Sequence, residues 1–184
     1  MAQIEIYKDV NFGGRSVSLN EDVENLKNYG FNDEVSSCKV ISGTWILYKD
    51  ANFQGDSSIL SKGNYQTPSA MNFSNDSLSS LRHFPDVSGP TILLFADINY
   101  RGRMVTLTGA DSNLGSIDFN DSASSAIVLN GTWILYKDYD FKGTRWVLSS
   151  SGGDKKDGRY PLPNYFDNDA ISSAQPERTI DNEL

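Results

Sequence analysis

One six-residue segment, Asn-Asp-x-x-Ser-Ser, occurs four times along the chain: Asn32–Ser37, Asn75–Ser80, Asn120–Ser125 and Asn168–Ser173. Every fixed position carries oxygen. A carboxylate, a hydroxyl and a tight polar turn form a donor set that suits a hard cation such as calcium. One copy alone reads as an ordinary turn whose Asn and Asp side chains cap their own backbone. Four copies at matching places argue otherwise, because a turn by itself does not require serine at the fifth position every time.

The segments are set by a second recurring element: an aromatic, four residues, an aromatic, any residue, then glycine. Its copies run from Tyr7 to Gly14, Tyr48 to Gly55, Phe95 to Gly102 and Tyr136 to Gly143. Tyr7 and Phe95 are 88 positions apart, as are Tyr48 and Tyr136, and Asn32 and Asn120. Asn75 and Asn168 are 93 apart, and the five extra residues fall in the Gly- and Lys-rich stretch Ser151 to Gly158, a surface loop. Gly43 to Asp50 reappears residue for residue at Gly131 to Asp138. Four motifs therefore pair into two domains in the order A, B, A, B. The expected boundaries are residues 1–86, a linker at 87–90, residues 91–176 and a flexible tail at 177–184.

Ile4 and Ile6, Val17 and Leu19, Val105 and Leu107, and Trp146 and Leu148 alternate with polar neighbours. Period two predicts half-buried strands, and frequent Asn, Asp, Ser and Gly leave little room for helix. The fold class is all-β, with short strands and regular turns that indicate β-sandwich domains. In each aromatic element the glycine supplies positive φ where a hairpin folds sharply, and the two aromatics pack across it.

Composition narrows the function. A net charge of −8 and an isoelectric point near 4.6 disfavour nucleic acid, which needs clustered Lys and Arg. No apolar run approaches 18 residues, and nothing basic and amphipathic favours a membrane. Cys38 is the only cysteine and His83 the only histidine, so a disulfide framework, a cysteine-rich zinc site and a repeated histidine base are all excluded. No glycine-rich phosphate loop or paired catalytic carboxylate is present, and no enzyme is expected. Met1 to Glu5 has neither a basic nor an apolar leader region, which points to the cytoplasm. Asn72, Asn75, Asn120 and Asn130 begin glycosylation sequons, read as coincidental in that compartment. Trp45 and Trp133 occupy equivalent core positions; Trp146 stands where the first domain has Ser58, either as core filling or as a contact between domains or subunits.

The aromatic hairpin with its glycine, followed by the paired serine, resembles the Greek-key signature of the βγ-crystallin superfamily, and the Asn-Asp-x-x-Ser-Ser segment resembles its calcium motif. The resemblance implies two domains of two Greek keys each, with two four-stranded antiparallel sheets per domain. It gives Ser37, Ser80, Ser125 and Ser173 an architectural role, bonding to the folded hairpin. It makes Asp33, Ser36, Asp76, Ser79, Asp121, Ser124, Asp169 and Ser172 side-chain calcium ligands. Glu34, Ser77, Ser122 and Ala170 would give only backbone carbonyls, and each hairpin a further carbonyl near Val10, Ala51, Ile98 and Tyr139. Up to two calcium ions per domain would bridge its two keys and stabilise the fold, in a structural or buffering role. With about one carboxylate per ion, affinity should lie between roughly 10⁻⁶ and 10⁻³ M. The alternatives are a purely structural lens-type or storage crystallin with vestigial sites, and a partner- or membrane-associated module. The resemblance leaves open a monomer with paired domains or a homodimer.

Overall fold

The computed structural model describes residues 1–178; the remainder of the expected tail, 179–184, lies outside the described residues. Burial follows the sequence alternation. In β1 (Gln3–Asp9), Ile4 and Ile6 are fully buried while Gln3 is exposed and Glu5 half-buried. In β4 (Trp45–Asp50) and β11 (Thr132–Asp138), Trp45, Leu47, Trp133 and Leu135 point into the core. Among the described residues helix is confined to five short 3-10 turns.

The chain divides into two compact units, Met1–Asp86 and Val87 onward. The first adds β2 (Gly13–Leu19), β3 (Ser37–Ser42), β5 (Gln54–Leu60), β6 (Gly63–Tyr65) and β7 (Ser80–His83). Its sheets have the orders β2-β1-β3-β6 and β5-β4-β7, all pairs antiparallel. The two motifs exchange one element. Strand β6 belongs to the second motif yet pairs with β3 of the first, while Val23 of the first motif bridges to Leu81 of the second. The second unit repeats this with β8 (Thr91–Asp97), β9 (Arg101–Leu107), β10 (Ser125–Asn130), β12 (Lys142–Ser149), β13 (Arg159–Tyr160) and β14 (Ser173–Pro176). Its sheets are β13-β10-β8-β9 and β12-β11-β14, with Asp111 bridged to Ala174.

The smaller sheet of each unit therefore has three full strands and a fourth reduced to one residue. In the first unit Val23 is buried at 3% exposure between exposed Asp22 and Glu24, and the Asp22 carboxylate accepts from the His83 amide. Each unit has its own core, centred on Trp45 or Trp133. Trp146 packs half-buried against the second core opposite Leu135, as Ser58 stands opposite Leu47. Beyond β14, Glu177 still donates its amide to the Thr132 carbonyl at 2.8 Å, so the sheet ties down the first residue of the expected tail.

Candidate metal centre

Each aromatic element folds into a hairpin of unusual backbone. Its tip places two successive residues in the left-handed region, Asn11-Phe12, Asn52-Phe53, Asn99-Tyr100 and Asp140-Phe141, with φ between 55° and 62°. The signal for this was present in the sequence. The first of each pair is always Asn or Asp, the residues that tolerate that region best after glycine. Gly55 then follows at φ 77°. The paired rings sit edge to face with centroids 5.6–5.7 Å apart in all four hairpins.

The last serine of each segment locks this hairpin. The Ser37 hydroxyl donates to the Asp9 carbonyl at 2.6 Å and accepts from the Phe12 amide at 3.0 Å. Ser80 does the same with Asp50 and Phe53, Ser125 with Asp97 and Tyr100, and Ser173 with Asp138 and Phe141. All four serines are fully buried.

The other positions of the segment have separate tasks. The fourth is apolar and buried every time, as Val35, Leu78, Ala123 and Ile171, and anchors the loop in the core. The second, aspartate, sits at φ 49–53° and is exposed. Its two oxygens are divided. The neighbouring asparagine amide donates to Oδ2 in every copy: Asn32 to Asp33, Asn75 to Asp76, Asn120 to Asp121 and Asn168 to Asp169. Oδ1 faces the fifth-position serine of the opposite segment. Ser79 donates to Asp33 at 2.9 Å, Ser36 to Asp76 at 3.4 Å, Ser172 to Asp121 at 3.3 Å and Ser124 to Asp169 at 3.2 Å. The backbone crosses over too in the second unit, where Asp121 N reaches Ile171 O and Asp169 N reaches Ala123 O, both at 3.1 Å. The five-residue insertion before the fourth segment leaves this arrangement intact.

In the first unit Val10 of the hairpin, Asn32, Asp33, Glu34 and Ser36 of the first segment, and Asn75 and Asp76 of the second line one open cleft of about 620 Å³, with Lys8 and Asp9. The hairpin, the third and fifth positions of its own segment, and the aspartate of the other segment thus meet in one place. The Glu34 side chain turns to Lys8 at 3.5 Å and Arg15 at 3.6 Å, half-exposed pairs that add little stability. Among the described residues no three His, Cys, Asp or Glu side chains gather at one point. A cation held between one aspartate Oδ1 and its facing serine would meet one carboxylate there and draw its other oxygens from hydroxyls, carbonyls and water.

A sequence profile of the family described as Beta/Gamma crystallin matches residues 3–84 and 91–176. The chain belongs to the βγ-crystallin family. It is 32% identical to bovine gamma-crystallin F over 80% of this chain and 84% of that one. It is 31% identical to human beta/gamma crystallin domain-containing protein 1 over 90% of this chain, yet spans only 7% of that protein's length. Its fold matches that of Geodin, a βγ-crystallin from Geodia cydonium, with a TM-score of 0.73 over 96% of this chain and 99% of that one at 21% identity.

Within this βγ-crystallin, the aspartates and fifth-position serines named from the sequence come together across segments, and sequence reasoning missed two further roles. The first-position asparagine aims the carboxylate, and its invariance in four copies was the available signal. The fourth position looked free because Val, Leu, Ala and Ile differ, but all four are apolar.

Proposed function

We propose that this βγ-crystallin binds calcium, up to two ions per domain, and that the ions stabilise each domain by joining its two Greek keys. The observation that carries this reading is the crossed pairing of Asp Oδ1 with Ser Oγ in all four loops. Two oxygens each roughly 2.4 Å from one calcium, subtending roughly 75–90°, lie about 2.9–3.4 Å apart. The four observed separations span 2.9–3.4 Å. The donors fit the ion.

In this reading the hydrogen-bonded pairs work together: Asp33 with Ser79, Asp76 with Ser36, Asp121 with Ser172, and Asp169 with Ser124. We assign the carbonyls of Val10 and Glu34, residues that line the same cleft, to the Asp76–Ser36 site. By the internal repeat, Ala51 and Ser77 join Asp33–Ser79, Ile98 and Ser122 join Asp169–Ser124, and Tyr139 and Ala170 join Asp121–Ser172. A bound calcium supplies positive charge that both loops must share, so each site tethers one key to the other. With one carboxylate per site, the affinity falls between roughly 10⁻⁶ and 10⁻³ M.

A ligand that binds the folded state alone stabilises it by mass action, about 2.7 kcal/mol at a hundredfold excess over Kd. Thermal melts with calcium and with chelator test the proposal. A higher midpoint with calcium, together with binding heat in calorimetry, is expected; equal midpoints and no heat would leave a purely structural crystallin.

A further inference from the structure

We infer that Arg15 and Arg103 are positioning residues that set the first calcium loop of each unit, an assignment that rests on the calcium reading above. The two arginines are equivalent, each directly following the hairpin glycine, Gly14 or Gly102, on β2 or β9. Each guanidinium crosses to the short turn that leads into the Asn-Asp segment. Arg103 donates to the Asp118 carbonyl at 2.7 Å and the Ile117 carbonyl at 2.5 Å. Arg15 donates to the Gly30 carbonyl. Carbonyls at the end of a helical turn lack partners within it, and a forked cation satisfies them well.

The next residue is then held from the other side. Phe31 and Phe119 are buried in the core, and the guanidinium carbons lie 4.4 Å and 5.9 Å from their ring centroids. These phenylalanines stand only two residues before Asp33 and Asp121. Fixing the turn carbonyl and the ring fixes the chain as it enters the left-handed aspartate. Arg15 reaches further, pairing with Glu34 at 3.6 Å, so it brackets the segment before Asp33 and after it. Through Asp33, Arg15 acts on the Asp33–Ser79 site, and its half-exposed pairing with Glu34 adds little to that. The B motifs do without this device: Asp56 and Thr144 occupy the equivalent positions.

Loss of a contact that orients a metal ligand typically weakens the metal about 10- to 100-fold. The test is amide hydrogen exchange on the full chain across a calcium titration, which reports a local midpoint for each loop. Arg15→Gln should raise the midpoint for residues 30–36 and 75–80 by about 10- to 100-fold while leaving 118–124 unchanged. Arg103→Gln should raise it for 118–124 and leave the first unit unchanged. Without calcium, exchange of the affected loop should also quicken. Arg15→Lys keeps the charge but not the flat guanidinium that lies over Phe31, and should not restore the midpoint.

A variant that melts lower yet keeps its calcium midpoint would overturn the inference, since the arginine would then only cap a turn. Full rescue by Arg15→Lys would overturn it as well, leaving charge alone as the cause. If Arg15→Gln fails to fold, Arg103→Gln decides the matter independently. A wild-type chain whose loops gain no protection with calcium would bring down the calcium reading and this one with it, and it is the unmutated protein that reports that outcome.

Discussion

Ser79 donates its hydroxyl to Asp33 at 2.9 Å across 46 residues of chain, joining the second Asn-Asp segment to the first. Sequence alone could not reveal this, because a motif read along the chain pairs an aspartate with its own serine. The crossing makes a sharp prediction. Asp33→Ala and Ser79→Ala should impair the same calcium site, so their effects should be coupled rather than additive in a double-mutant cycle. Ser36→Ala should instead impair the Asp76 site and add independently to Asp33→Ala. Calorimetric titration of the variants measures both. Coupling between Asp33 and Ser36, with none between Asp33 and Ser79, would mean that each site is built from one loop.

Adjacent serines should behave differently. Ser37→Ala leaves the Asp9 carbonyl and the Phe12 amide without their buried partner, each costing about 1–3 kcal/mol. For a unit of this size each kcal/mol lowers Tm by about 4–8 °C. The loss should be the same with calcium or with chelator. Ser36→Ala should cost little with chelator and show its effect only when calcium is present. Paired melts of the two variants check this; a calcium-dependent penalty for Ser37→Ala would move that serine from the fold to the ion.

How far the sequence spoke is clear from particular residues. The spacing of aromatic and glycine marked every hairpin, since rings that must stack and a backbone that must bend leave few alternatives at those positions. The final serine was assigned correctly on the strength of the family resemblance, and its two hydrogen bonds bear that out. What stayed hidden depended on the third dimension. Val23 meets the second motif as a single bridge, and its partner Leu81 is set by the exchange between motifs. Nor could Arg15 be connected with Gly30, since the contact is made by a long side chain crossing from another strand.

The hairpin glycine can be tested directly. Gly55 has φ 77°, and a Cβ there would lie 2.5 Å from the Asp50 carboxylate oxygen and 3.2 Å from its amide nitrogen. The left-handed conformation costs a non-glycine residue about 1–2 kcal/mol, before any displacement of Asp50. Gly55→Ala should therefore lower the unfolding free energy of the first unit by at least that amount, seen as a lower urea midpoint at unchanged slope. An unchanged midpoint would show that the hairpin can relax, and that its glycine is not a steric requirement.

Alkaline pH should expose the buried thiol. Burial raises the Cys38 pKa from 9.0 to about 12, and burial likewise raises Tyr48 from 10.0 to about 12 despite the opposing Arg82 charge. In the unfolded chain both ionise near their ordinary values, so between those values and about 12 the native state binds more protons. Stability must then fall as pH rises, by about 1.4 kcal/mol per pH unit for each such group. The loss should begin near pH 9 with Cys38 and steepen above pH 10 as Tyr48 contributes. Below pH 9 these two groups should contribute no slope. Cys38→Ala should lower stability at neutral pH by leaving a small void, yet flatten the curve between pH 9 and 10. Urea unfolding in chelator across this range gives the slopes directly. Thiol reagents provide an independent check, because a buried protonated Cys38 should react only as fast as the first unit opens. Rapid modification of the native protein, or a Cys38→Ala curve parallel to wild type, would rule out the thiol as the source of the alkaline loss.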